Sequence, residues 1–299
     1  MTPAGQSLAA MPCSLSSFLD RVICGDNCET LAAMPAESVD LVVTSPPYDD
    51  LRTYGGHSWD FERLASELTR VLKPGGVIVW VVADETANGS ETLASMKQAI
   101  HFKEVCGLNV VDTMIYHKPS QAFPRHGHRK YCGAWEYMFV LCKGTVKAWN
   151  PISDRVNKYA GDRMTATVRQ PDGTVKPSHS CGRPVKEIGA RNNVWSYDVG
   201  FMKSTTDKEA FEHPAIFPEA LAKDHVETWS NPGDVVLDPF AGSGTTLKAA
   251  KELGRRFVGI EINPEYVEIC RRRLAQDVLN LFPENSVFSE PGSHNQSPL

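Results

Sequence analysis

The chain predicts an α/β fold: a mostly parallel, Rossmann-like sheet with helices on both faces and one inserted lobe. Three observations carry this. Short β-branched apolar runs alternate with helical apolar stripes along most of the 299 residues. Two of the runs stop in loops of unusual composition, TSPPY at 44–48 and DPFAGSGTT at 238–246. Between them, 143–212 breaks into turn residues, charges and short apolar pieces, too long for an idle loop in a compact domain. Apolar residues make up 41% and charged residues 22%, which excludes a disordered or fibrous chain. Mean hydropathy is -0.29, and the longest uncharged apolar run, Val77 to Ala83, suits one buried strand and excludes a membrane span.

The elements follow in order. Residues 1–19, rich in Ser, Ala and Pro and without a basic stretch, read as a flexible lead-in rather than a signal peptide. Val39–Thr44 is a strand stopped by two prolines. Ser58 is placed to cap a helix carrying Phe61, Leu64, Leu68, Val71 and Leu72, which Lys73-Pro74-Gly75-Gly76 ends. Gly76–Ala83 is a strand, 90–104 a helix, and Asn109–His117 and Trp135–Cys142 two strands. After 143–212 the alternation resumes: helix Pro218–Trp229, strand Asp234–Asp238, helix Thr245–Leu253 and strand Phe257–Glu261. Val267, Cys270, Leu274, Val278 and Leu281 then form a last helical stripe. The tail 283–299 has little to bury. The organisation is therefore one α/β domain from 20–142 and 213–282, an insert at 143–212, and two flexible ends.

The net charge of -5 argues against a polyanionic partner until its distribution is read. From His117 to His213 there are 16 Lys+Arg against 9 Asp+Glu, a balance of +7, while the remainder carries -12. A basic middle in an acidic chain points to nucleic acid. The eight cysteines contain no CxxC pair and fit reduced thiols in a cytoplasm. His126, His128 and Cys132 lack a fourth ligand at standard spacing, so no metal is expected.

Two loops carry chemistry. In DVVLDPFAGSGTT a strand ends at Asp238, glycines follow, and a helix begins near Thr245; ligands of parallel sheets bind at such carboxyl ends. Gly242 and Gly244 admit close backbone approach. Glu261 ends the next strand 19 residues after Gly242, where a carboxylate can accept both hydroxyls of a ribose. Leu247 occupies the place of the dinucleotide fingerprint's third glycine, and no Walker Lys-Ser/Thr pair follows. Pyrophosphate and triphosphate ligands are disfavoured. S-adenosylmethionine (AdoMet) fits, with Glu261 for its ribose and Asp238 for its ammonium. In TSPPY, Pro46 and Pro47 have no N–H, so the backbone offers acceptors alone. Ser45 adds a hydroxyl and Tyr48 an aromatic face. The loop is a slot for an amino group on a flat ring, such as a nucleobase rotated out of its stack.

Together these motifs resemble the DNA amino-methyltransferases, the N4-cytosine/N6-adenine family. Their order, catalytic loop first and AdoMet loop late, resembles that family's β class. GDNCETLAAMPAESVDLVVTSPPY at 25–48, HPAIFPEAL at 213–221 and GIEINPEYVEICRRRL at 259–274 are similar to the family's flanking motifs. The match covers about 25–142 and 213–275, and 143–212 falls where the family places its target-recognition region. The resemblance implies that Ser45 and the Pro46 carbonyl hold the target amino group, that Pro47 stiffens the loop and that Tyr48 stacks on the flipped base. It implies that Asp26 meets the cofactor adenine and Glu261 its ribose. Asp238, Phe240, Gly242, Ser243, Gly244 and Thr245 would line the remaining pocket. Arg125, His126, His128, Arg129 and Lys130 are assigned to the DNA backbone, and Arg271–Arg273 to a solvated helix end. The implied reaction is sequence-specific methylation of duplex DNA in a bacterial cell or phage-infected host, leaving S-adenosylhomocysteine. The implied assembly is a homodimer, with a cognate restriction endonuclease as partner where one exists. Ser45 at the first motif position favours cytosine-N4, the greater number of adenine-N6 enzymes favours adenine, and adenine-N6 is slightly preferred. Rivals are an RNA methyltransferase, a protein amide methyltransferase, which would carry Asn at position 45, and a catalytically silent DNA-binding regulator.

Overall fold

A computed structural model describes residues 14–47, 59–119, 131, 133–200, 202–213 and 217–276. Its centre is an eight-stranded sheet built from β1 (Arg21–Cys24), β2 (Val39–Thr44), β3 (Leu72–Val82), β4 (Asn109–His117), β5 (Trp135–Cys142), β6 (Val194–Ser196), β7 (Val235–Asp238) and β8 (Arg256–Glu261). The strand order is β1-β8-β7-β2-β3-β5-β4-β6. β5 runs antiparallel to both of its neighbours, and the other pairings are parallel. Continuous apolar strands are what a sheet covered on both faces requires, and Val77–Val82 is buried at every position.

Helices α1 (Asn27–Ala33), α2 (Phe61–Val71) and α3 (Ala94–Glu104) cover one face, where Leu31, Leu64, Leu68 and Phe102 pack on Val42, Ile78 and Trp80. Helices α4 (Glu219–Trp229), α5 (Thr245–Glu252) and α6 (Pro264–Ala275) cover the other, where Leu221, Leu247 and Val267 pack on Leu41, Val43 and Val79. The chain order reverses between β7 and β2: α5 leads from β7 away to one side, α2 from β2 to the other. A crevice opens at such a switch point.

Several local expectations need correction. Asp60, not Ser58, caps α2, its Oδ1 accepting from the Arg63 amide at 3.0 Å; Ser58 lies outside the described residues. Lys73–Gly76 does not separate helix from strand. It is an irregularity within β3, where Leu72 pairs Val39 and Val77 pairs Leu41. Lys73 there reaches Asp40 at 2.6 Å, and a Cβ on Gly76 would meet the Asp40 carbonyl at 2.9 Å. β1 and α1 had no counterpart in the reading of the sequence. α6 is described only to Ala275, so Val278 and Leu281 lie outside the described residues.

The segment 143–212 divides in two. Its exposed part is a pair of small antiparallel ribbons, Ser153–Val156 with Ile188–Ala190 and Thr167–Arg169 with Val175–Pro177. Its flanks are built into the main sheet and its helices. Trp149 packs on Trp229 with ring centroids 4.8 Å apart, and β6 extends the sheet beside β4. Arg191 joins Asp154 of the ribbon to Asp224 of α4 and lies 5.1 Å over the Trp195 ring.

Candidate active site

The carboxyl ends of β1, β8, β7 and β2 bring the two loops to one edge. Thr44, the last residue of β2, donates from Oγ1 to Asp238 Oδ1 at 2.8 Å, so the roots of TSPPY and DPFAGSG are one hydrogen bond apart. Thr246, the second residue of α5, donates to the Val43 carbonyl at 3.2 Å and repeats the link to β2. Ser45 and Pro47 follow half-buried, with Pro46 buried between them. Tyr48 lies outside the described residues.

Asp238 is almost wholly enclosed, and burial pushes its carboxyl up to about 6 against the opposing pull of the Thr44 hydroxyl, the Phe240 amide and Thr246. Oδ1 also accepts from the Phe240 amide at 3.1 Å, which turns the chain sharply out of β7. The Phe240 ring stands edge-on to Trp59 at 5.2 Å. Glu261 accepts from the Gly242 amide at 2.9 Å and from the Asn263 amide at 2.8 Å, so its carboxylate braces the glycine loop while remaining half-exposed. Its backbone carbonyl accepts from the Gly25 amide at 3.0 Å. That contact sets Asp26 beside the loop. Asp26 is also the N-cap of α1, accepting from the Glu29 amide at 2.9 Å. Buried Asn27 reaches the Pro239 carbonyl at 3.4 Å.

Two glycines are required by shape. Gly242 has φ +49, and a Cβ there would meet the His213 ring at 3.1 Å. Gly244 has φ +81, and a Cβ there would lie 2.2 Å from Cys270 Sγ. His213, the first residue of HPAIFPEAL, is buried against the loop and against Tyr266, with ring centroids 4.3 Å apart.

The structure thus brings Asp26, Ser45, Pro46, Pro47, Asp238, Phe240, Gly242, Gly244 and Glu261 to one edge. The side chains of Ser243 and Thr245 are engaged elsewhere: both accept from Arg273, at 3.0 and 3.2 Å. Arg273 is therefore no part of a solvated face; its side chain is fully buried. Arg271 and Arg272 are exposed as expected. Arg125, His126, His128, Arg129 and Lys130 lie outside the described residues. Lys118 and Trp135, on either side of them, sit at the same sheet edge as Thr44, because His117 pairs Trp135 and Val82 pairs Tyr137.

The donor set of the glycine loop is acidic, with Asp238 and Glu261 at adjacent strand ends. The nearby cations Lys248 and Arg273 are held by Asp207 and Glu219. Such a loop suits a cationic nucleoside ligand better than a phosphate. Among the described residues no His/Cys/Asp/Glu group is arranged to hold a metal.

A family model described as DNA methylase matches residues 39–272. The orphan methyltransferase M.BamHII of Bacillus amyloliquefaciens is 50% identical over 244 residues, covering 81% of this chain and 91% of its own. Among solved structures, a Thermus thermophilus protein described as a DNA modification methylase, complexed with S-adenosyl-L-methionine, is 28% identical with a TM-score of 0.56. It aligns over 85% of this chain and 93% of its own. The cytosine-N4-specific PvuII DNA methyltransferase shares the fold at a TM-score of 0.62 and 19% identity, over 88% of this chain and 87% of its own. The sheet order, the paired loops and a match across most of the chain agree: this protein belongs to the N6/N4 DNA methylase family.

Proposed function

We propose that the chain methylates the exocyclic amino group of a base flipped out of duplex DNA, with N6 of adenine as the target. One observation carries the reading: the Thr44–Asp238 hydrogen bond joins the acceptor loop to the acidic glycine loop. When bound, AdoMet supplies an electrophilic methyl group and is released as S-adenosylhomocysteine. Glu261 takes the ribose hydroxyls on its half-exposed side, Asp26 meets the adenine, and Asp238 sets negative charge beneath the methionine end.

The remaining work is positioning. An exocyclic amino nitrogen is a poor nucleophile because its lone pair is conjugated into the ring. Ser45 Oγ and the Pro46 carbonyl accept its two hydrogens and draw the nitrogen toward sp³ geometry, which frees the lone pair. Pro46 and Pro47 offer no competing donor, and Tyr48 stacks on the base. The surplus amino proton passes to solvent. Flipping costs a few kcal/mol. Phosphate contacts from Arg125, His126, His128, Arg129 and Lys130 and from the exposed part of the basic segment, where Arg155, Lys158, Arg163, Arg169 and Lys176 are all exposed, offset it. Ser45 supports cytosine-N4 as the second reading, because a hydroxyl serves either amino group.

A relative named as an orphan methyltransferase favours an enzyme without a cognate nuclease. The assembly is a homodimer and the compartment a bacterial cytoplasm. No helix among the described residues is long and apolar enough to cross a membrane. The test is to incubate the protein with unmodified genomic DNA and methyl-labelled AdoMet and to identify the labelled nucleoside after hydrolysis. Labelled N6-methyldeoxyadenosine supports the proposal, and N4-methyldeoxycytidine moves the target to cytosine. Label in RNA or protein alone overturns the substrate.

A further inference from the structure

We propose that Arg273 is a positioning residue that fixes the cofactor loop from behind and sets its affinity for AdoMet; the inference rests on that loop being the AdoMet site. Gly242 and Gly244 leave the loop's own torsions soft, so neighbouring elements must hold it. Two do. Glu261 accepts the Gly242 amide from one side. From the other, Arg273 donates to the Ser243 carbonyl at 2.5 Å and to the Ser243 and Thr245 hydroxyls. Alternate peptides of the loop, 241–242 and 243–244, are gripped from β8 and α6.

The guanidinium does this with no water contact. Its Nε reaches Asp207 at 2.8 Å and its remaining nitrogen reaches Glu219 at 2.6 Å. Lys248 shares both carboxylates at 3.3 and 3.4 Å. Burying an unpaired guanidinium would be costly, so the two acids are what allow a cation to stand behind the loop. Asp207 is half-buried, which alone would raise its carboxyl, but Arg273 and Lys248 hold it below the usual range. Asp207 touches no loop atom through these bonds. It also caps the 3₁₀ turn Lys208–Glu212 that delivers His213 onto Gly242. A planar fork with five donors meets this set of acceptors, and an ammonium cannot.

The experiment is calorimetric titration of AdoMet into the full chain and its Arg273→Met, Arg273→Lys and Asp207→Asn variants, with thermal melts and AdoMet-dependent methylation rates in parallel. The expected result is a Kd at least tenfold weaker for Arg273→Met. Asp207→Asn is weakened several-fold although it lies outside the loop, and Arg273→Lys falls between wild type and Met. The KM for AdoMet rises with Kd while kcat at saturating AdoMet stays within twofold. A Kd within twofold of wild type in Arg273→Lys and Asp207→Asn, with only a lower Tm, overturns the proposal and leaves Arg273 as packing. Those two variants decide the matter if Arg273→Met does not fold. A wild-type chain that binds no AdoMet removes the cofactor reading and this inference with it.

Discussion

Thr44→Val keeps the shape of the last residue of β2 and deletes one donor, the hydroxyl 2.8 Å from Asp238. The gap between an ordinary carboxyl near 3.8 and about 6 corresponds to about 3 kcal/mol set against the ionised form of Asp238 in the folded state. The folded carboxyl holds its proton more tightly than the unfolded one, so stability falls as pH rises from about 4 to about 6 and is level above. The Thr44 hydroxyl opposes that loss by bonding the ionised form. A charge-assisted bond of this kind is worth about 1.5–3 kcal/mol, a neutral one about 1 kcal/mol. Thr44→Val should therefore cost about 2 kcal/mol at pH 8, where Asp238 is ionised, and less than about 1 kcal/mol at pH 5, where it is protonated. Urea unfolding of both proteins at the two pH values measures the difference. The acid limb of AdoMet binding should also move upward in pH. An equal cost at both pH values, or an unmoved binding profile, would refute the link between the two loops.

Gly244→Ala should destabilise the chain by about 1–3 kcal/mol through its positive φ and the clash with Cys270. Adding Cys270→Ala should recover part of that in thermal melts, and no recovery would dismiss the clash. His225 is fully buried between Trp195 and Met138, and burial pushes its imidazole down to about 3. The unfolded chain takes up that proton first, so stability is lost as pH falls from about 6.5 toward 3. His225→Leu should flatten this limb, and parallel limbs would show that other groups cause it. Glu261→Ala should weaken AdoMet binding in calorimetry before it affects DNA affinity; an unchanged Kd would take Glu261 out of the ribose site. Tyr48→Ala should keep AdoMet binding and lose methyl transfer, whereas a collapse of cofactor affinity would assign Tyr48 to the core.

The legible parts of the fold are those with a local cause. Val77–Val82 is continuous because it is buried on both faces, and Asn109–His117 and Trp135–Cys142 end where their apolar pattern ends. β1 stayed invisible because four residues with one buried position resemble any loop. Asp238 and Glu261 were legible as strand-end acids, but not that each first braces backbone amides. Arg273 was misread for a physical reason. Three arginines at a helix end normally face water and the helix dipole, and its acidic partners lie 66 and 54 residues away. The ribbon turn was within reach: Gln170-Pro171-Asp172-Gly173-Thr174 is a hairpin signal, realised with Gly173 at φ +84 and Asp172 accepting from the Thr174 amide.

β6 stitches the far end of the basic segment into the edge of the main sheet, and Arg191 and Trp149 clamp its two flanks to α4. The basic segment is consequently not a cassette with clean ends at 143 and 212. A chimera cut there would strip an edge strand and two clamps from its host, whereas exchanging only 153–190 would leave the sheet whole. The permissive junctions for exchanging the basic segment between relatives lie inside it, between the two clamps and short of the edge strand.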